Sequence, residues 1–374
     1  MAIEQLARRP VQVVLAQLDD VAVSYPRLFT AVSHLSPAAI RLAAVGAGAG
    51  QARESHVQIA LAHQCLPAGV EAPRAQIVLS AALAVAARTH GNAELARLIC
   101  RLQDVPSPPA LYFDIREQLQ ARDGTVKQMA AIAERDPALV ARVLKVANSG
   151  FFGLPRSVND LNSAIGMIGT DSLLSLVLSS HLYAGLPPPG LNLDVLWRHA
   201  LEVSLLARQI ARAEGGSRAE QNSAATAGLL HDIGLMVLLQ SESARYQPLW
   251  RRAGGDEAQL VQLERGQFGV DHGELGALVL TLWTLPADVV VAVQQSHGSP
   301  CIGSPCIGGP CLGGTSLASR AVLAAEWLLG SSETAFDIAD APVALTSVAT
   351  QPFAESLQRW QHLRSALPTR AQAG

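Results

Sequence analysis

The His231-Asp232 pair, set in the apolar run Gly228–Leu235 (GLLHDIGL), is the densest piece of chemistry in the sequence. A carboxylate and an imidazole buried side by side are costly unless a cation or hydrogen bonds compensate them. Imidazole nitrogen and carboxylate oxygen are also the donors that zinc, iron and manganese accept. Adjacent helical residues point about 100° apart, so one ion held by both needs further ligands from other helices. Three more histidines qualify. His199 shares a helix face with Leu196, Val203, Leu206 and Ile210, spaced three or four apart. His272 opens a helix whose inward face holds Gly276, Val279 and Trp283, and His297 closes one on the side of Val290 and Val293. The competing reading makes His199, His231 and Asp232 a buried polar network that fixes helix register.

The chain that must position these groups has 374 residues, 49% hydrophobic, 16% charged and 4% aromatic. That composition is globular rather than disordered, and the length allows two domains or three. From Ala110 onward nearly every segment has a helical period. The expected helices are Val126–Ala133, Ala138–Ala147, Leu161–Ile168, Ser172–Leu182, Leu193–Ala213, Gln221–Gln240, Ala258–Phe268, Glu274–Leu285, Ala287–His297 and Ser316–Leu329. Asp136 before Pro137, and Asp271 with Glu274, are helix-start signals. Pro106–Pro109 and Pro187–Gly190 read as breaks and Asn148–Pro155 as a loop. Residues 1–92 differ. Val11–Leu15, Ile40–Val45, Val57–Leu61 and His63–Leu66 read as short strands, with helices at Pro26–His34 and Arg74–Thr89. Such alternation implies a parallel sheet with crossover helices. The expected fold class is therefore α+β: a small N-terminal α/β domain, then a larger all-α domain.

A net charge of −3, a pI of 6.4 and the lack of any Lys/Arg run argue against nucleic-acid binding. Met1–Arg9 contains Glu4 and no apolar core, and the most apolar window, Ser172–Leu182, is short for a bilayer. The expectation is a cytoplasmic protein without a membrane partner. Five cysteines are too few for a disulfide framework. Three of them fall in Cys301–Gly314 (CIGSPCIGGPCLGG), a five-residue repeat read as a flexible low-complexity insertion. Its other reading is a soft-metal site, although the spacing differs from that of zinc knuckles. The tail after Pro368 is expected to be disordered.

Residues 102–182 are the most specific part of the chain. They combine Pro106–Pro109, Asp136-Pro137, Asn148-Ser149, Phe151-Phe152-Gly153 and Ala164–Leu173 (AIGMIGTDSL). In order and spacing this stretch resembles the HDOD domain, and the resemblance extends over residues 98–298. Gly228–Leu235 likewise resembles the motif of the HD superfamily, in which a His, a His-Asp pair and a later Asp hold a metal. The resemblance implies kinship with HD-GYP phosphodiesterases, which hydrolyse cyclic di-GMP, but HDOD domains generally lack the full ligand set. It implies ligand positions at His199, His231, Asp232, His272 and His297. A final Asp is implied within Leu323–Leu328, where this chain has Glu326, one methylene longer. The GYP motif is absent. No catalytic residue and no cofactor are expected; the alternative is a divalent transition metal (Fe, Mn or Zn) at a vestigial HD site.

Residues 8–90 resemble a response-regulator receiver domain. Arg8–Leu18 (RRPVQVVLAQL) corresponds to the strand ending in the phosphoacceptor Asp, and Gln17 stands in that place. Asp19 and Asp20 fall two and three residues further on. Val45 replaces the switch Ser or Thr, Ala68 replaces the Lys, and the acidic pair that binds magnesium has no counterpart. The resemblance implies a pseudo-receiver that takes no phosphate, because acyl phosphate needs a carboxylate nucleophile.

The implied organisation is a pseudo-receiver at 1–92, a linker at 93–105 and an HDOD domain at 106–300. The insertion at 301–315 and a C-terminal extension at 316–374 completing the HDOD domain follow. By resemblance, the expected function is a non-enzymatic bacterial signal-transduction adaptor in two-component or cyclic di-GMP signalling. Its partners would be a histidine kinase, a diguanylate cyclase or a motility regulator, or a second copy of itself. The alternative is a metal-dependent phosphohydrolase acting on a nucleotide or cyclic dinucleotide.

Overall fold

A computed structural model describes residues 11–18, 26–36, 38–45, 62–67, 70–101, 110–121, 124–148, 158–182, 193–297, 316–330 and 353–365. Two compact units interleave in sequence. The described part of the first comes from residues 1–107 and 233–290, and that of the second from 108–232, 291–302 and 311–374.

The first unit begins with the only sheet among the described residues. Strands β1 (Val13–Leu18), β2 (Ile40–Val45) and β3 (Gln64–Pro67) are parallel and lie in that order. β1 pairs from Val13 with Ile40 to Leu18 with Val45, and β2 pairs from Leu42 with Gln64 to Val45 with Pro67. A parallel pair needs a crossover, and helix α1 (Pro26–Leu35) lies between β1 and β2 in the chain. Its Phe29 is buried in one cluster with Ala16 and Ala43. Ile40, Leu42 and Ala43 of the central strand are fully buried, hence its largely apolar run. Arg41 interrupts that run; its guanidinium donates to the Cys100 carbonyl at 2.9 Å and lies 2.8 Å from His63 Nε2. The expected strand at 57–61 lies outside the described residues.

Helix α2 (Ala72–Thr89) is followed by α3 (Ala93–Arg101), which corrects the expected linker at 93–105. Leu95, Leu98 and Ile99 are buried on one side of α3, and Asn92 Oδ1 caps it by accepting from Leu95 N at 2.9 Å. A segment that buries three large apolar side chains packs as core.

The second unit is helical throughout its described residues. It runs α4 (Ala110–Gln120), α5 (Val126–Ala133), α6 (Pro137–Ala147), α7 (Leu161–Ile168), α8 (Thr170–Leu182), α9 (Leu193–Ala213) and α10 (Arg218–Leu230). Local chemistry sets these boundaries. Thr125 and Gln128 form a reciprocal capping box, Asp136 accepts from Leu139 N at 3.2 Å, and Asp160 accepts from Ser163 N at 2.8 Å. Asn148 both donates to and accepts from the Val158 backbone, at 2.8 and 2.6 Å. Pro106–Pro109, Phe151–Gly153, Pro187–Gly190, Cys301–Gly314 and the tail past Pro368 lie outside the described residues.

Returning to the first unit, the chain forms α11 (Ile233–Ser241), α12 (Ser243–Ala253), α13 (Glu257–Phe268) and α14 (His272–Leu282). The single helix expected over Gln221–Gln240 is therefore two, α10 and α11, interrupted at His231-Asp232. The Gly228 carbonyl takes up the His231 imidazole N–H at 2.7 Å, in competition with the backbone ladder. Where α11 meets α14, a Cβ on Gly234 would lie 1.9 Å from the His272 carbonyl oxygen, so only glycine allows this approach. Asp271 caps α14 by accepting from Glu274 N at 2.8 Å. The ion pairs Arg97–Glu242 (2.6 Å) and Arg245–Glu94 (3.2 Å) tie α3 to the corner between α11 and α12.

The boundary between units falls within α15 (Ala287–Gln294). Helices α16 (Leu317–Gly330) and α17 (Phe353–Ser365) belong to the second unit, where Trp360 is buried and donates to Glu214 at 3.1 Å. The described residues are mostly helical, with one small sheet. The stretch Arg218–Ser241 is long and apolar enough to cross a membrane, but 83% of its most apolar 18-residue window is buried within the protein.

Candidate metal centre

Helices α9, α10 and α16 pack against one another in the second unit. α9 turns Ala200, Val203, Leu206 and Ala207 fully inward and carries His199 at the edge of that face. α10 ends at Leu230, which leaves His231 and Asp232 in the turn beyond it. α16 supplies Glu326 among buried Val322, Ala324 and Ala325. The turn after α15 supplies His297.

These five side chains converge. His231 Nε2 lies 2.8 Å from Glu326 Oε1 and 3.2 Å from Asp232 Oδ2. His199 Nε2 lies 2.9 Å from the same Glu326 oxygen, and His297 Nε2 lies 3.5 Å from Asp232 Oδ1. The ring centroids of His199 and His297 are 5.2 and 5.6 Å from that of His231. One triad of His199, His231 and Glu326 and another of His231, Asp232 and His297 each hold their ligand atoms within 4.8 Å of one another.

The central imidazole is oriented for ligation. His231 Nδ1 donates to the Gly228 carbonyl at 2.7 Å, which directs Nε2 at the carboxylates. His231 Nε2 and Glu326 Oε1 are both buried and only 2.8 Å apart. Two carboxylates crowded on one imidazole nitrogen call for a positive charge among them, a proton or a metal ion.

The electrostatics agree. Burial works against a charged His231, but Asp232 and Glu326 outweigh it and hold its pKa well above the ordinary value. Burial likewise opposes a charged His199, and Glu326 overcomes it to raise that pKa as well. Asp232 is held well below the usual carboxylate range, against burial, by His231 and His297, and Glu326 by His231 and His199. The cluster thus draws either protons or a cation. Its donors, imidazole nitrogens and carboxylate oxygens, suit iron, manganese or zinc.

The sixth candidate, His272, lies in the first unit at the start of α14. Its Nδ1 and its backbone N–H both donate to Glu264, at 2.7 and 2.9 Å, and Tyr246 donates its hydroxyl to the same carboxylate. Glu257 Oε1 is 3.3 Å from its Nε2. Sequence reasoning had not found Glu264, Tyr246 or Gly228. An apolar face on α13, Leu260, Val261 and Phe268, interrupted by a Glu at the same helical spacing was the available signal for Glu264.

The HDOD domain family model matches residues 105–299, more than half of the chain. Glu326 lies beyond that match. A protein of Treponema pallidum (strain Nichols) is 25% identical over 205 residues, 55% of this chain, and this chain spans 40% of that relative's length. Among solved structures, a protein from Shewanella amazonensis SB2B named as a candidate phosphohydrolase is similar, with a TM-score of 0.54 at 21% identity. That alignment covers 74% of this chain and 99% of the other. An HDOD domain protein from Geobacter sulfurreducens, its function unknown, gives 0.52 at 20% identity over 78% and 93%. A Marinobacter aquaeolei VT8 protein named as a candidate signal transduction protein gives 0.53 at 17% identity over 91% and 80%. At these identities the likeness is one of fold.

Proposed function

The chain belongs to the HDOD domain family, and from that premise we propose that it is a non-enzymatic signalling adaptor whose HD cluster holds a divalent transition metal structurally. One observation carries this reading. His231 Nε2 lies 3.2 and 2.8 Å from oxygens of Asp232 and Glu326 beneath the surface, and the donor atoms of each triad lie within 4.8 Å of one another. A cation satisfies all three, and an ion so enclosed has few positions left for water and substrate. His199, His231, Asp232 and Glu326 would hold it, with His297 on the far carboxylate oxygen of Asp232. Bound there, the ion offsets both carboxylate charges and ties α9, α10 and α16 together.

We place the adaptor in the bacterial cytoplasm, in two-component or cyclic di-GMP signalling. Its partners are a histidine kinase, a diguanylate cyclase, a motility regulator or a second copy of the chain. The net charge of −3 disfavours nucleic acid, and the burial of Arg218–Ser241 disfavours a membrane. The N-terminal sheet is read as a pseudo-receiver. In support, its strands are parallel and sequential, and Gln17 pairs with Ala44 one residue before both strands end. An amide forms no acyl phosphate. Acetyl phosphate should leave residues 1–95 unlabelled; acid-sensitive label there would sink the pseudo-receiver reading.

A second reading, metal-dependent hydrolysis of a nucleotide or cyclic dinucleotide, is favoured by the 32% exposure of the His199 side chain, which gives the centre one open side. Elemental analysis and turnover separate the two. The purified chain should hold about one equivalent of iron, manganese or zinc, and less than about a tenth would remove the metal from both readings. The loaded protein should leave bis(p-nitrophenyl) phosphate and cyclic di-GMP intact. Turnover that His231→Ala abolishes would replace the adaptor by the enzyme.

A further inference from the structure

We infer that Gly228 is a positioning residue of the metal centre, setting both the spacing of α9 and α10 and the orientation of His231. The inference rests on reading the cluster as a metal site, and it assigns a role to a residue that is no ligand.

The crossing of α9 and α10 is a backbone contact. A Cβ built on Gly228 would lie 2.8 Å from Ser204 Cα, 2.9 Å from Ser204 N and 3.1 Å from Val203 C. These are main-chain atoms, so no side-chain rotation relieves the clash; the helices must move apart. Ordinary contact between carbon atoms is about 3.5–4.0 Å, so the required separation is about 1 Å. One turn before Gly228 in α10, Ser204 Oγ donates to the Ala225 carbonyl at 2.8 Å, which holds the helices at the same crossing.

Both imidazoles hang close to this crossing. His199 precedes Ser204 on α9 by little more than one turn, and His231 follows Gly228 by three residues. Gly228 contributes a second time through its carbonyl, which accepts the His231 Nδ1–H at 2.7 Å and so presents Nε2. Metal–ligand distances tolerate deviations of about 0.2 Å. A shift of about 1 Å at the crossing therefore moves His231 away from the ion that His199 and Glu326 hold. Gly166 on α7 would meet nothing within 4 Å if given a Cβ, and it supplies the matched control.

The test uses the full chain, stripped with chelator and titrated with Co²⁺, whose visible d–d bands report the ligand field. Wild type should bind and His231→Ala should not. Gly166→Ala should match wild type in affinity and spectrum. Gly228→Ala, with helix content retained by circular dichroism, should bind at least about tenfold more weakly. At saturation its d–d bands should be displaced, a change that lost stability alone does not produce. If Gly228→Ala does not fold, Ser204→Ala decides: it removes the bond across the crossing and adds no volume, and it should also weaken Co²⁺ binding. Wild-type affinity and bands in a folded Gly228→Ala, or in Ser204→Ala where it decides, would overturn the inference and leave the metal site standing. Failure of wild type itself to bind Co²⁺ would remove the metal site instead.

Discussion

Among the described residues, the buried centres at His231 and His272 are built on opposite principles. In both, Nδ1 is committed to an oxygen: the Gly228 carbonyl for His231 and the Glu264 carboxylate for His272. Around His272 the carboxylate is saturated, since Glu264 accepts from the Tyr246 hydroxyl and from two His272 N–H groups. Around His231 two carboxylates, Asp232 and Glu326, share one imidazole nitrogen, Nε2, at 3.2 and 2.8 Å. Similar residue types thus give a closed network in one place and a cation-seeking cluster in the other. The number of hydrogen-bond donors aimed at the carboxylate decides which, more than the presence of a His-acid pair.

The comparison breaks most clearly at His231. His231→Ala should cut bound metal from about one equivalent to below about a tenth. In the stripped protein it should also cost about 3–5 kcal/mol, because Asp232 and Glu326 lose the partner they are buried against. Elemental analysis and urea unfolding measure the two effects. Glu264→Gln is the counterpart at His272. It turns an acceptor toward three donors into a group that also donates, at a cost of about 1.5–3 kcal/mol. Metal content should be unchanged. Metal loss in Glu264→Gln would mean that the centres are not distinct in kind.

The sequence reveals the first kind of information better than the second. α5 and α9 have the boundaries expected from their periods, since capping residues and an amphipathic stripe are local signals. The break at His231-Asp232 was hidden, because apolar residues continue through GLLHDIGLMVLL and the stop is made by a side chain on a carbonyl. α3 was legible from Leu95, Leu98 and Ile99 at helical spacing, yet its short length and the prolines beyond it suggested a linker. At the site, His199 comes from a helix face and His231, Asp232 and His297 from turns at helix ends, and all four are gathered in one unit. Glu326 was reached only through family resemblance, far along the chain from the pair it completes. Tyr246 and Glu264 lie on different helices, α12 and α13, so no periodicity within one element connects them.

The pH dependence of the stripped protein should sharpen the contrast by a smaller amount. His231 and His199 have folded pKa values above the ordinary 6.5, so their stabilisation is complete below that pH and is lost as pH rises through the folded values. Asp232 and Glu326 are depressed from 3.8 and 4.5, so theirs is complete above pH 4.5 and lost as pH falls through the folded values. Chelated protein should therefore melt highest between pH 4.5 and 6.5 and decline on the alkaline side. Metal reverses that alkaline decline, because deprotonated ligands bind the ion more tightly. Identical alkaline melting curves with and without metal would remove the cation-seeking character assigned to His231.

The smallest expected effect lies at the exit of the His272 helix. Thr284 has φ of 57°, the one described residue other than glycine with a positive φ. A β-branched side chain is disfavoured in that region by about 1–2 kcal/mol. Its N–H bonds the Thr281 carbonyl at 2.9 Å, which holds the turn in place despite the cost. Asn adopts this conformation readily and avoids the entropy that Gly adds to the unfolded chain. Thr284→Asn should raise the unfolding free energy by about 1 kcal/mol, seen as a higher urea midpoint at constant slope. It should leave Co²⁺ affinity where it is, because the turn follows the far end of the helix that His272 opens and carries no residue of the His231 cluster. A change in affinity would show that this turn bears on the His231 cluster as well, and the two centres would then have to be treated as one.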